Sequence, residues 1–369
     1  MTRKERLLAA IRRGAVDRVP YATYNIHPYS DNDHTRDASY CEIMEQIETN
    51  VGVVIKVSSV GAGVGLSRPA EGVVDTVTEI NGEERIVTTT IHTPKGDLKS
   101  EYRNYLNKPG LMMKHLIADD EDIEKYMSLP YEPPEYDLSN AFSLHKSVGD
   151  RGIILLGFDD PMYQMASLFH YEDFCIRTLT DLPSIKRMVD WAFERSLENM
   201  KLVVAASGDM DCVFHTSGPE LCTPPMIPPS VFAELVTPYM RQLVEVAHKA
   251  GKLAAIHCHG RVRQVFEQMI ETGADMLEPI EPPPQGDISL SELLNQASGA
   301  ICLMGHVQDQ DFYSAPEGYF TTWVKGIAKT VGGRTGYIMS PTCTPFDIPC
   351  TDTYKRNYME WLTAAEAML

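Results

Sequence analysis

From residue 151 onward, short apolar runs alternate with longer stretches that carry apolar residues at helical spacing. Between them lie loops with Gly, Pro or polar residues. This rhythm is typical of βα units, and it predicts a parallel sheet flanked by helices. The expected strands are 152–157, 211–215, 253–257, 276–280, 300–305 and 336–340, and the clearest expected helices are 231–250, 262–272 and 354–368.

The first 60 residues repeat the pattern, with helices expected at 3–13 and 40–48 and strands expected after Pro20 and at 51–57. The total is eight strands, which predicts an α/β fold of the (β/α)8 TIM-barrel type. The proline-rich segments 130–134 and 282–284 are interpreted as loops, because the βα rhythm resumes beyond them. One domain is therefore expected over residues 1–369.

Between residues 73 and 103 the pattern changes to an alternation of Thr, Val and Ile around Asn81-Gly82 and Lys95-Gly96. Two-residue turns of this kind between alternating segments predict β-hairpins. We interpret them as an insertion that folds over the barrel.

Composition and charge narrow the range of functions. The chain has 369 residues, and 51 acidic against 33 basic residues give a formal net charge of -18. Nucleic acid and anionic membrane surfaces are not expected as partners, because both require clustered Lys and Arg. No run of about 18 apolar residues occurs, and the chain begins with an amphipathic helix, so a cytoplasmic protein is expected. The eight cysteines lack the spacing of a disulfide framework and are expected to be free thiols.

The active site of a TIM barrel lies at the carboxyl ends of its strands, so the residues that follow each apolar run are the candidates for chemistry. They are rich in metal-ligating and acidic types, and include Asp159, Asp160, His215, Glu220, His257, His259, Glu278, Glu281, His306, Gln308 and Cys343.

The densest group is the segment His257-Cys258-His259-Gly260. Alternate side chains of an extended segment share a face, so His257 and His259 are expected to point at one metal ion while Cys258 points away. Cys343, which follows a later strand, is expected to supply a third ligand. Imidazole and thiolate suit zinc, and three protein ligands leave an open position of the kind that catalytic zinc sites have.

The same residues also admit structural roles. A His-x-His pair at a strand end can be two hydrogen-bonded imidazoles, and Glu278 and Glu281 can form salt bridges with arginines such as Arg261 or Arg263. His215 and His306 can be loop histidines whose nitrogens are satisfied locally. These alternatives stay open on the sequence alone.

Four segments together resemble one known family over nearly the whole chain. They are residues 4–10, Asp17-Arg18-Val19-Pro20, His257-Cys258-His259-Gly260 and Pro341-Thr342-Cys343. They are similar to the uroporphyrinogen decarboxylase superfamily, and within it to the cobalamin-dependent methyltransferases, whose His-x-Cys-Gly and Pro-Gly-Cys segments bind zinc. The resemblance implies a zinc enzyme in which His259 replaces the second family cysteine, a change that zinc tolerates.

The decarboxylase branch of that superfamily fits less well. Its tetrapyrrole substrate bears many carboxylates and requires an arginine-rich segment shortly after the first strand. Here no arginine lies between Pro20 and Arg36. Decarboxylation of a porphyrin is therefore the second candidate.

The resemblance further implies methyl transfer to or from a cobalamin. In one kind of reaction a small donor, such as a methoxylated aromatic, gives its methyl group to cob(I)alamin, and the oxygen that leaves needs an acid or a metal ion. In the other kind, methylcobalamin gives the group to a thiol or a folate. Glu220, Glu278 and Glu281 suit leaving-group chemistry, which favours the first kind, and tyrosines can stack on an aromatic donor. The expected substrate-binding residues are Tyr21, Tyr24, Tyr163, His215 and His306.

The chain has no Asp-x-His-x-x-Gly segment, the source of the lower cobalt ligand in corrinoid carriers. The cobalamin is therefore expected on a separate corrinoid protein, and a homodimer is among the expected assemblies. A role in binding or structure alone is the third hypothesis, and it would require neither metal nor methyl transfer.

Overall fold

The computed structural model describes residues 1–58, 61–105 and 108–369. Its strands, in chain order, are β1 (Val53–Val57), β2 (Val74–Asn81), β3 (Glu84–Thr93), β4 (Gly96–Tyr105), β5 (Lys108–Lys114), β6 (Gly152–Phe158), β7 (Cys212–Ser217), β8 (Leu253–His257), β9 (Met276–Ile280), β10 (Cys302–Val307) and β11 (Tyr337–Pro341).

The helices begin with α1 (Arg3–Ile11), α2 (Asp33–Arg36), α3 (Cys41–Asn50), α4 (Asp120–Met127), α5 (Ser139–Val148), α6 (Pro161–Ala166), α7 (Tyr171–Thr180) and α8 (Leu182–Ser207). They continue with α9 (Pro229–Leu235), α10 (Thr237–Lys249), α11 (Phe266–Glu271), α12 (Leu290–Ala297), α13 (Asp309–Ser314), α14 (Tyr319–Val331) and α15 (Asp352–Met368). No helix in these ranges is long and apolar enough to cross a membrane.

Seven strands form one parallel sheet in the order β1-β6-β7-β8-β9-β10-β11. A short eighth segment joins its two edges, because Ala22 N donates to Met339 O on β11 at 2.8 Å and Thr23 N donates to Gly52 O beside β1 at 2.9 Å. The curled sheet therefore closes through residues 20–23, and the predicted TIM barrel with eight strand positions is confirmed.

The barrel has two apolar layers, as the alternation of side chains along each strand requires. One set of alternate residues, including Val54, Val213, Ala255 and Met276, forms an interior cluster that α1 closes at one end. The other set packs against the surrounding helices. On a strand of the barrel, an inward residue two positions after the interior cluster therefore lies at the carboxyl end of the barrel and faces its mouth.

The insertion is a four-stranded antiparallel sheet in the order β2-β3-β4-β5. Its first two turns lie at Asn81-Gly82 and Lys95-Gly96 as predicted, and β5 is an additional strand that extends the sheet to Lys114. Ile91 and Leu98 are 2% exposed and anchor the sheet to the hydrophobic core. Lys95 also pairs with Glu124 of α4 at 3.0 Å.

Several predicted elements have different bounds in the structure. The helix expected at 231–250 is two helices, α9 and α10, because Pro238 has no N–H to continue the hydrogen-bond ladder past Val236. The helix expected at 262–272 is shortened to α11, and β10 begins at Cys302 and runs two residues further than expected.

Candidate metal and active site

Four side chains converge at the carboxyl ends of the barrel strands. They are Lys56 on β1, His215 on β7, His257 on β8 and Glu278 on β9, and we call them the barrel-mouth cluster. Glu278 Oε1 lies 2.5 Å from His215 Nε2 and 3.0 Å from His257 Nδ1. Lys56 Nζ lies 3.1 Å and 3.2 Å from the two oxygens of the same carboxylate.

Burial and charge set the protonation of this cluster. Burial favours the protonated form of Glu278, but the Lys56 ammonium and the two imidazoles outweigh it and hold the pKa of Glu278 well below its usual range. Burial lowers the pKa of His215 and of His257. At neutral pH the carboxylate is charged and both imidazoles are neutral, and these are the forms that bind a metal ion.

The cluster has the geometry of a metal site. His215, His257 and Glu278 place their ligand atoms within 4.8 Å of one another, and no other trio of His, Cys, Asp or Glu does so in the described ranges. Two imidazole nitrogens and one carboxylate oxygen form a ligand set that zinc accepts with an open fourth position. The donors present therefore fit a zinc ion.

A second polar pair borders the cluster. Glu281 Oε2 accepts a hydrogen bond from Gly260 N at 2.6 Å, and its Oε1 lies 3.4 Å from His259 Nδ1. The rings of His257 and His259 are 4.7 Å apart, whereas Cys258 between them is fully buried in the layer against the helices. Burial lowers the pKa of His259, but Glu281 and Glu220 outweigh it, and the net pKa is raised.

An acidic wall lies beside His259. Asp160 is 2% exposed, and burial raises its pKa to about 7 with Glu220 contributing. Asp160 Oδ1 accepts a hydrogen bond from Tyr163 N at 3.0 Å. Asp160 Oδ2 and Glu220 Oε2 are buried without a hydrogen-bond partner among the described residues. These two oxygens are therefore buried acceptors next to the mouth and are not exposed to it.

Tyr24 and the segment after β11 close the opposite side. The Tyr24 hydroxyl lies 3.4 Å from His257 Nδ1, and Lys56 Nζ lies 3.9 Å from the centre of the Tyr24 ring. Thr344 Oγ1 donates to Tyr24 O at 3.4 Å, which brings the neighbouring Cys343 to the same side. Cys343 is half-buried, and burial raises the pKa of its thiol.

The chain matches the family described as "Uroporphyrinogen decarboxylase (URO-D)" over residues 70–353, which is more than half of its length. It belongs to the URO-D family. Comparison with curated proteins gives no significant match.

Two solved structures resemble this URO-D family member. A methyltransferase from Methanosarcina mazei is 15% identical in sequence with a TM-score of 0.61, over 100% of this chain and 99% of that one. A D-psicose 3-epimerase is 10% identical with a TM-score of 0.35, over 63% of this chain and 81% of that one. A TM-score this low supports no conclusion about this chain. The first likeness supports the fold.

Two expected site residues of this URO-D protein lie away from the cluster. Tyr21 occupies an outward position of the closing segment, where its hydroxyl bonds to Glu366 and to Asn50 O. His306 faces the helix layer and stacks on Trp323 at 17°. Strand alternation alone would turn His306 inward, but a register shift in β10 and positive φ values at Gly305 and His306 reverse its direction.

Lys56 is the member of the cluster that the sequence analysis did not select. Its signal is present, since it is the single charged residue in the apolar run Val53-Val54-Ile55-Lys56-Val57. A lysine in a buried strand requires an anionic partner. Finding Glu278 as that partner required the pairing of strands across the barrel.

Proposed function

We propose that this chain is a zinc-dependent methyltransferase that moves a methyl group between a small donor and the cobalamin of a separate corrinoid protein. A methoxylated aromatic is the proposed donor. The observation that carries the proposal is the convergence of His215, His257 and Glu278 at the barrel mouth. Membership of the URO-D family and the likeness to the methyltransferase from Methanosarcina mazei support it.

Two sets of zinc ligands are proposed, and they share His257. The first is His257, His259 and Cys343, which rests on strand alternation and on the resemblance of the motifs. The second is His215, His257 and Glu278, which rests on the distances within the barrel-mouth cluster. In the second set, His259 is free to hold a proton beside the metal ion.

Zinc would act as a Lewis acid on the oxygen of the methoxy group, or, in transfer from methylcobalamin to a thiol, would keep the acceptor thiolate nucleophilic. His259, held at Nδ1 by Glu281, can donate a proton from Nε2 to the oxygen that leaves. Glu220 and Glu278 keep the surroundings of His259 negative, which favours its protonated form. Tyr24 and Tyr163 offer aromatic faces for a planar donor.

Decarboxylation is a second candidate, because the family is named for it. A substrate with many carboxylates needs cationic partners. In the mouth described above, Lys56 already pairs with Glu278, and the carboxylates of Glu220 and Glu281 add negative charge. This charge distribution favours methyl transfer over binding of a porphyrin polycarboxylate.

The test combines elemental analysis with cobalamin spectra. We expect about one zinc per chain, and we expect conversion of cob(I)alamin to methylcobalamin with a methoxylated aromatic. Methyl loss from methylcobalamin to a thiol or a folate would support the alternative in which methylcobalamin is the donor. Active protein without a transition metal, or release of carbon dioxide from uroporphyrinogen, would contradict the proposal.

Alanine variants separate the two ligand sets. If the cluster binds zinc, His215→Ala and Glu278→Ala lose the metal and His259→Ala and Cys343→Ala retain it. The opposite pattern supports the set with Cys343, and His257→Ala loses zinc in both cases. Cys258→Ala is the matched control, because the buried thiol packs as a small apolar group and its loss should leave zinc in place.

A further inference from the structure

A cavity of about 340 Å³ lies between the start of α12 and one face of α14, outside the barrel. Its walls include Leu290, Tyr319, Trp323 and Ile327, and His306 reaches it from β10. The volume is within the range of small-molecule sites in proteins. The cavity is separate from the barrel mouth, because His306 faces away from the barrel interior.

Three rings form a layered wall in this cavity. His306 and Trp323 stack with ring centres 5.9 Å apart, and Trp323 and Tyr319 stack at 5.9 Å and 11°. Trp323 Nε1 donates to His306 O at 2.8 Å, and the Tyr319 hydroxyl donates to Asp311 at 2.8 Å. These bonds hold the rings in place. Because the centres of neighbouring rings are 5.9 Å apart, the stack is offset, and the half-buried rings of Trp323 and Tyr319 keep part of their faces uncovered for a planar partner.

His306 is held at this wall at an energetic cost. Its φ is +73°, a left-handed conformation that is strained for a residue with a side chain. Burial lowers its pKa to about 4, so the ring is neutral at physiological pH. Its Nδ1 is buried without a hydrogen-bond partner among the described residues. Strain and an unsatisfied polar atom at one position are typical of functional sites.

The residues that line the cavity are also uncharged. Of the described residues that line the cavity, none carries a charge at neutral pH, although 23% of the chain is Asp, Glu, Lys or Arg. Gly326 lies at the cavity wall, and a Cβ placed on it would meet no atom within 4 Å. There is therefore open space over the middle of α14 beside the rings.

We propose that this cavity is a second binding site, separate from the barrel mouth, for a small, uncharged, planar aromatic compound that stacks in the space between α12 and Trp323. The ligand is a free molecule that packs against the uncovered parts of the Trp323 and Tyr319 rings. This site does not depend on zinc or on methyl transfer.

Indole is the probe, because it is planar and uncharged and has no methyl group to transfer. Isothermal titration calorimetry of the full chain should detect indole binding at millimolar concentration. Indole-3-carboxylate should bind at least about tenfold more weakly, since it brings a charge into a site without a cationic partner. Absence of indole binding, or equal binding of the carboxylate, would overturn the proposal.

Variants at Gly326 locate the site. Gly326→Ala leaves the space largely open and should retain binding, whereas Gly326→Leu fills the space and should weaken it at least about tenfold. Lys325→Leu adds the same side chain at the adjacent exposed position and should bind as the wild type does. Circular dichroism and the midpoint of urea unfolding confirm that each variant is folded. Undiminished binding of indole to a folded Gly326→Leu protein would show that indole binds elsewhere and would overturn the proposal.

One further measurement separates a free ligand from the side chain of a partner protein. The blocked peptide acetyl-Gly-Trp-Gly-amide carries the same ring on a polypeptide backbone without charged termini. It should bind more weakly than indole, because the backbone adds polar groups for which the cavity offers no built partner. Tighter binding of the peptide than of indole would make the cavity a docking site for a protein and overturn the assignment to a small molecule.

Discussion

A partly buried ammonium group faces a fully buried carboxylate at the centre of the barrel mouth. The side chain of Glu278 is fully buried and that of Lys56 is 18% exposed. Removal of one partner of such a pair leaves an uncompensated charge, which costs far more than loss of an ion pair at the surface. The same carboxylate is a candidate zinc ligand, so the ammonium and the metal ion compete for its charge.

At the scale of single residues, we expect Lys56→Met to lower the free energy of unfolding by about 3 kcal/mol in metal-free protein. With saturating zinc the loss should shrink, because the metal ion replaces the ammonium as the partner of Glu278. Urea unfolding with and without zinc measures both values. An equal loss under the two conditions would show that zinc does not compensate the charge of Glu278.

Lys4→Met is the matched control. Lys4 Nζ lies 3.2 Å from Asp211, whose side chain is 45% exposed. Solvent screens this pair, so its loss should change the free energy of unfolding by less than about 1 kcal/mol, independently of zinc.

At the scale of elements, α8 holds the segments on both sides of the inserted sheet. Arg195 is 8% exposed, and its guanidinium donates to Gly65 O at 2.6 Å and to Leu129 O at 2.7 Å. It also lies 3.6 Å from the centre of the Trp191 ring. One side chain therefore satisfies carbonyls from two loops that are far apart in sequence.

Arg195→Met should lower the free energy of unfolding by about 3 kcal/mol, because it leaves two buried carbonyl groups without their charged donor. Limited proteolysis should also become faster near residues 65 and 129. Arg187→Met is the control on the same helix, since Arg187 pairs with Glu124 at 2.6 Å where both side chains are at least 44% exposed. Equal destabilisation by the two substitutions would contradict the role assigned to Arg195.

At the scale of the whole molecule, a very short segment closes the barrel. Residues 20–23 bond to β11 on one side and to the residue before β1 on the other. Ala22 is fully buried within the interior cluster, so its backbone amide has no water to replace a lost partner.

Ala22→Pro should lower the free energy of unfolding by about 3 kcal/mol or more, because proline removes the N–H that bonds to Met339 O and adds a ring to a packed interior. Ala22→Gly keeps the N–H and should cost only about 1 kcal/mol. Urea unfolding of the two variants measures the difference. If the glycine variant is as unstable as the proline variant, closure does not depend on this hydrogen bond.

Much of the fold follows from the sequence, because burial on one or both faces of an element leaves a local periodic pattern. The eight strand positions, the two hairpin turns and most helices belong to this class. The structure, however, was needed to show that Ala22, Val54, Val213 and Ala255 face inward. Strict alternation from these residues points Tyr24, Lys56, His215 and His257 into the mouth and turns Tyr21 away from it.

Other features were decided only by the tertiary structure. The pairing of Glu278 with Lys56, His215 and His257 joins four strands from distant parts of the chain, and its distances depend on closure and stagger of the barrel. The outward turn of His306 depends on the positive φ values at Gly305 and His306, which place the backbone against Ile280 of β9. A local pattern specifies which face of an element is buried, whereas the partners of a buried polar group are set by contacts between elements.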